Sequence, residues 1–138
     1  MPNDWNSRII EEFRTNEGRV GGMFEGMPIL LLHHKGAKTG TQRVNPLAYQ
    51  QLDDGAMAVF GSKGGAPDNP DWYHNLRANP AAKVEAGTNS FDVRARVAEG
   101  EERSRIWEKQ KIDRPGFAEY EEKTKGKRDI PVIILERV

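Results

Sequence analysis

Short connections between strand-forming segments constrain this chain more than anything else, because they leave no room for crossover helices and so favour antiparallel neighbours. Pro28 to His34, PILLLHH, is a continuous apolar run of the kind a buried strand requires. A second strand runs from Arg43 to Leu52. Asp53-Asp54-Gly55 is a tight turn and Ala56 to Gly61 a third strand, so these two strands form a hairpin. Lys83 to Glu85 is a short strand, Gly87-Thr88-Asn89 a turn, and Ser90 to Ala98 a strand in which Phe91, Val93, Ala95 and Val97 alternate with other residues. Ile130 to Leu135, IPVIIL, is a last buried strand. This is not the strand–helix alternation of a doubly wound sheet; about six mostly antiparallel strands predict a small α+β barrel.

Helices flank these strands. Residues 3–16 read as a helix that Asn3 or Asp4 caps, with Trp5, Ile9, Ile10 and Phe13 as its apolar stripe. That stripe packs on the main body or lies on a membrane or partner. Residues 18–26, GRVGGMFEG, form a glycine-rich loop, either a connector or a wrap around a ligand. Asn69 caps a short helix with Pro70 at its first position, Trp72, Tyr73 and Leu76 on its apolar side, and Asn79-Pro80 at its end. Glu101 to Lys111 and Gly116 to Lys125 are helical, broken at Pro115. The organisation is an N-terminal amphipathic helix over residues 1–17 and one barrel domain over residues 18–138, without repeat or linker.

Composition narrows the function classes. Lys and Arg number 21, Asp and Glu 21, so the net charge is zero. That argues against a general nucleic-acid or membrane-surface field, and makes any basic patch a local feature. The chain has no cysteine, which excludes disulfides and thiolate metal sites and fits a reducing cytoplasm. No apolar run approaches the roughly 18 residues of a membrane span, and the N-terminus lacks a signal-peptide core. His33 and His34 are adjacent on a strand and point to opposite faces, so they cannot chelate one metal; no metal is expected.

Against that neutral background, Lys35 to Pro46, KGAKTGTQRVNP, gathers Lys35, Lys38 and Arg43 around glycines 36 and 40, and no Asp or Glu occurs from Gly26 to Leu52. Glycine lets backbone N–H groups approach a ligand, and Lys and Arg donate charge-assisted hydrogen bonds to phosphate or carboxylate. Gly61-Ser62-Lys63-Gly64-Gly65 is a second loop of this kind. It matches neither a Walker loop nor a nucleophile elbow. The helix start at Asn69 to Tyr73 adds orphan N–H groups, with Trp72 and Tyr73 as flat surfaces for a ring system. The acidic residues of the late helices read as solvated, and no residue presents itself as an intrinsic catalyst. The pattern points to a site for an anionic ligand, with the hard chemistry supplied by a bound cofactor.

Three motifs in order carry a resemblance: Gly36-Ala37-Lys38-Thr39-Gly40 followed by Arg43-Val44-Asn45-Pro46-Leu47; Ser62-Lys63-Gly64-Gly65; and Asn69-Pro70-Asp71-Trp72-Tyr73-His74-Asn75-Leu76 with Asn79-Pro80. Over roughly residues 18 to 137 the chain resembles the deazaflavin-dependent nitroreductase family of actinobacteria. The resemblance implies a split β-barrel related to flavin mononucleotide-binding proteins. It also implies 8-hydroxy-5-deazaflavin, coenzyme F-420, as cofactor, with a quinone, nitroaromatic or other unsaturated small molecule as hydride acceptor. The residues it implies around the cofactor are Lys38, Thr39, Arg43, Val44, Asn45, Pro46, Leu47, Ser62, Lys63, Asp71, Trp72, Tyr73, His74 and Asn75. At the acceptor it implies Arg114, Phe117 and Tyr120, with Tyr120 hydrogen-bonding the reacting acceptor. The family often has Arg where Ala37 stands. Its best-known nitroimidazole-activating member has tyrosines where Arg114 and Phe117 stand, so nitroimidazole activation is not implied. The rival readings are a flavin mononucleotide oxidoreductase on the same barrel and a non-catalytic module that binds deazaflavin or another anion. The expected setting is cytoplasmic, at most peripheral to the inner face of the membrane, as a monomer or homodimer without nucleic acid.

Overall fold

The computed structural model describes residues 4–21, 27–52 and 55–138. Asn3, the side chain of Trp5, residues 22–26 of the glycine-rich loop and the Asp53–Asp54 corner lie outside the described residues. The elements run α1 (Asp4–Thr15), β1 (Ile29–Lys35), β2 (Gln42–Gln51), β3 (Met57–Phe60), α2 (Asp71–Ala78), β4 (Ala81–Ala86), β5 (Asn89–Val97), α3 (Gly100–Asp113), α4 (Gly116–Thr124) and β6 (Val132–Arg137). The strands close into a barrel in the order β1-β2-β3-β6-β5-β4, and every neighbouring pair is antiparallel.

Side-chain alternation sorts the residues into an inside and an outside. Leu30, Leu32, Met57, Val59, Val84, Val93, Ile133 and Leu135 fill the interior, and Trp72 and Leu76 of α2 join them. Outside, Ala58, Phe60, Val132 and Ile134 meet Ile106 and Trp107 of α3 and Phe117 of α4. Ile29 and Leu31 meet Phe13 of α1 and Val20. β1 from Ile29 to Leu32, β3, and β6 from Val132 to Leu135 are therefore buried on both faces, which is why these stretches are apolar without a break. The outer face of β5 carries the exposed Asp92, Arg94 and Arg96, so only its inner residues are apolar. Each fully buried Leu, Ile or Phe contributes about 1.5–3 kcal/mol by leaving water.

α1 packs on the barrel: Phe13 is buried, and Arg14 donates to Glu85 of β4 at 2.7 Å. The β2–β3 hairpin forms as its turn residues require, with Gly55 at φ +86°. Several bounds differ from the sequence reading. β4 covers six residues rather than three because β1 and β5 pair with it on both sides. β6 starts at Val132, after Pro131, which has no N–H to give a ladder. Within the loop after β3, Lys63–Gly65 is a single 3-10 turn. Asn69 does not cap α2: Pro70 holds the cap position, and Asn69 Oδ1 instead accepts a 2.8 Å hydrogen bond from Arg128.

The seam between β2 and β3 is short. β1 and β2 stay in register from Ile29↔Ala48 to Lys35↔Gln42, whereas β2 meets β3 only at Tyr49↔Val59, Gln50↔Ala58 and Gln51↔Met57. From Gln42 to Ala48 the second edge of β2 has no strand partner among the described residues.

Candidate active site

The three sequence motifs connect to that open seam: the β1–β2 turn leads into β2, the Gly61 loop leads out of β3, and α2 is fastened to the turn. The β1–β2 turn is closed by Gly36 N–H donating to Thr41 O and Gly40 N–H donating to Gly36 O, both at 2.9 Å. Gly40 sits at φ +71°, a conformation that favours glycine. Thr39 Oγ1 accepts from Thr41 N–H at 3.2 Å, which shapes the turn from within. Lys38 and Arg43 are exposed and make no ion pair among the described residues. The turn is fastened to α2, because Ala37 N–H donates to Asn75 Oδ1 at 2.9 Å.

Asn75 also contacts His34, the inward residue at the end of β1. Asn75 Nδ2 lies 3.1 Å from His34 Nδ1, and His34 Nε2 lies 2.7 Å from Asn45 Oδ1 on β2. His34 is 2% exposed, and burial pushes its pKa below the ordinary histidine value. Its neighbour His33 points to the outer face and pairs with Glu85, as strand alternation requires.

The Gly61–Asn69 loop is held from behind by one guanidinium. Arg128, between α4 and β6, donates to Gly61 O, Ser62 O, Ala66 O and Asn69 Oδ1 over 2.8 to 3.1 Å. Burial lowers the Arg128 pKa, with the charge of Asp68 opposing the shift. Lys63 sits in the left-handed region at φ +47° and pairs with Asp68 at 3.2 Å. α4 packs against the 3-10 turn: a Cβ on Gly65 would fall 2.7 Å from Lys123 Cδ. The acceptor segment implied by the family resemblance thus adjoins the Lys63 loop.

The structure places the expected site residues unequally. Lys38 and Thr39 share the exposed turn, Arg43 stands exposed at the start of β2, and Ser62 and Lys63 share the clamped loop. Arg43, Asn45 and Leu47 fall on one face of β2. Val44 falls on the other, packed with Ile29, Leu31 and Phe13, and Pro46 follows it by alternation. One ligand cannot meet all five side chains. Trp72 does not offer a flat ring surface: it is 5% exposed and points into the barrel core. Tyr73 is half-buried and His74 exposed, their ring centroids 5.4 Å apart, and Asp71 is exposed at the start of α2. Phe117 is buried against Phe60 and Trp107, and the half-buried Tyr120 packs edge-on to it at 5.4 Å. Arg114 is half-buried where α3 ends.

Two residues escaped the sequence reading. Arg128 is one cation in a charged stretch, and its partners are backbone carbonyls 62 to 67 positions away and the Asn69 amide, which no motif announces. The role of His34 depends on strand register and on α2 docking, neither of which is local.

The chain as a whole is similar to known proteins. A family model described as F420H(2)-dependent quinone reductase matches residues 5–137. The chain is 36% identical over 129 residues to an F420H(2)-dependent quinone reductase of Mycobacterium tuberculosis H37Rv, covering 91% of this chain and 85% of that protein. The solved structure of an F420-H2 dependent reductase, FDR-A, is 43% identical at a TM-score of 0.70, covering 79% of this chain and 94% of that one. A structure described as a domain-swapped dimer is 38% identical at a TM-score of 0.72, covering 99% and 100%. The chain belongs to the F420H(2)-dependent quinone reductase family, and coenzyme F-420 is accordingly its cofactor.

Proposed function

We propose that the chain seats reduced coenzyme F-420 along the open edge of β2 and passes its hydride to a quinone. One observation carries this placement. Lys38 and Arg43 stand unpaired among the described residues, beside a strand edge that lacks a neighbour from Gln42 to Ala48. That donor set fits a cofactor whose tail carries phosphodiester and carboxylate groups. The bound cofactor supplies the hydride chemistry, and the chain supplies position, charge and exclusion of water.

In this reading Lys38 and Arg43 bind the anionic tail, and Ser62 and Lys63 close on it from the facing loop. Lys63 exchanges its exposed partner Asp68 for the ligand. Thr39 and the backbone of Arg43 to Leu47 line the tail. Asp71 to Asn75 border the ring, with Tyr73 and His74 as side-chain contacts and Trp72 contributing backbone alone. Tyr120 donates a hydrogen bond to the acceptor oxygen as negative charge develops there. Phe117 supports Tyr120 from the core, and the charge of Arg114 favours a polar or anionic acceptor.

The same reading takes the working unit as a monomer or homodimer in the cytoplasm, without nucleic acid. It is supported by a sequence with no cysteine and no net charge. Among the described residues no helix is long and apolar enough to cross a membrane. The test is parallel titration with oxidised coenzyme F-420 and flavin mononucleotide, then turnover of reduced coenzyme F-420 with a quinone. Tighter flavin binding and no deazaflavin-dependent turnover would overturn the proposal.

A further inference from the structure

One buried imidazole joins three pieces of the candidate site. The backbone N–H of Ala37 can only donate, so the atom facing it at 2.9 Å is the Asn75 amide oxygen. The Asn75 NH2 group therefore faces His34 Nδ1, which must accept. The single proton of the neutral ring then sits on Nε2 and is donated to Asn45 Oδ1. The tautomer is set by a backbone amide two contacts away.

We propose that neutral His34 is a positioning residue for cofactor binding. Through Asn75 it holds the Ala37 turn, and with it Lys38, in the shape that receives the anionic tail, and protonation of His34 releases that turn. This rests on the placement of the tail given above. A protonated ring carries hydrogens on both nitrogens, so Nδ1–H confronts the Asn75 NH2. Turning the Asn75 amide over relieves that clash but sets its NH2 against Ala37 N–H. In either arrangement one donor faces another, and the fastening between α2 and the turn is lost.

The surroundings keep the ring neutral near pH 7. Burial is the main cause; Arg43 on β2 and His33 on β1 oppose a positive charge there, and Asp71 on α2 favours one. The folded value lies below the ordinary 6.5 or so, so the release falls on the acid side of that pH.

Glutamine at position 34 provides the test. Its NH2 can donate to Asn45 and its oxygen can accept from Asn75, but it does not titrate. Dissociation constants for oxidised coenzyme F-420 are measured from pH 8 to pH 5 for the wild type, His34→Leu and His34→Gln. Loss of about one hydrogen bond should weaken binding by His34→Leu about tenfold at pH 8, and His34→Gln should recover most of that loss. Below about pH 6.5 the wild type should lose affinity faster than His34→Gln, by about tenfold at the acid end; the cofactor's own ionisation cancels in that ratio. Nitrogen NMR of the wild type should show Nε2 protonated and Nδ1 bare at pH 7. Should His34→Leu not fold, the wild type and His34→Gln still decide the matter. Parallel acid curves for these two, or a proton on Nδ1, overturn the proposal while leaving the cofactor assignment standing. A wild type that does not bind the coenzyme at pH 8 overturns both.

Discussion

Removing the Arg128 side chain should loosen the Gly61–Asn69 loop more than any other single change to the site. Its guanidinium reaches three backbone carbonyls and one amide oxygen, with Ala66 O contacted twice. A hydrogen bond from a charged donor contributes about 1.5–3 kcal/mol when the acceptor would otherwise be stranded, and about 1 kcal/mol when water replaces the donor. Ser62, Ala66 and Asn69 are partly exposed, so water can replace the donor at most of its acceptors and the lower figure applies. Contacts to four acceptor groups that share one side chain then sum to about 3 kcal/mol for Arg128→Ala. The clamp also sustains Lys63 at φ +47°, a conformation that costs an L-residue about 1–2 kcal/mol. In a domain of this size the loss lowers the melting temperature by about 10 °C. Urea unfolding measures the free energy directly. Amide exchange at Gly65 and Ala66, which donate to Ser62 O and Lys63 O, reports on the loop itself. Arg128→Lys keeps the charge but not the planar fork, and should recover less than half of the loss. Global stability within 1 kcal/mol of the wild type, with unchanged protection at both amides, would refute the reasoning.

Other outcomes follow from the same geometry. Arg43→Ala should weaken coenzyme F-420 binding by roughly 10- to 150-fold, the value of one charge-assisted hydrogen bond, and flatten its salt dependence; calorimetry at two ionic strengths checks this. Tyr120→Phe should lower turnover with a quinone about tenfold while cofactor affinity holds, which steady-state kinetics beside a cofactor titration will separate. Glu85 is held below the usual carboxylate range first by the hydrogen bond from Arg14 and then by that from His33, against the cost of burial. Because its folded value lies below its unfolded one, the stability it contributes is present above about pH 4.3 and is lost as pH falls through the folded value. Glu85→Gln should therefore reduce stability by about 1 kcal/mol at pH 7 and make the acid unfolding limb shallower, as a urea series from pH 7 to 3 would show.

The strands were legible because their burial leaves a local mark. β1 and β6 are covered on both faces and read as unbroken apolar runs, while β5 is covered on one face and reads as an alternation. The turn carrying Lys38, with Arg43 just beyond it on β2, was legible because charge and glycine concentrate within a few residues. Trp72 misled because an aromatic at a helix start looks the same whether it meets a ligand or a core; only the docking of α2 across the end of the barrel decides it. Asn69 misled because a cap residue can satisfy a different donor, and that donor, Arg128, lies 59 positions away. Hydrogen bonds to backbone carbonyls and strand register are non-local, so Arg128 and His34 left no pattern in the sequence.

The filled barrel decides how the coenzyme is handled. Leu30, Leu32, Val59, Val84 and Leu135 are each 0% exposed, so the interior has no room for a tricyclic ring. In the placement proposed above the coenzyme lies at the rim, on exposed cations, without displacing the core. Loading and release would then ask for no unfolding, only the parting of the Lys63–Asp68 pair on a short loop. The proposed placement would suit a deazaflavin that arrives reduced and departs oxidised, as a co-substrate does. The pace of its catalytic cycle would then follow the ratio of the two free forms in solution.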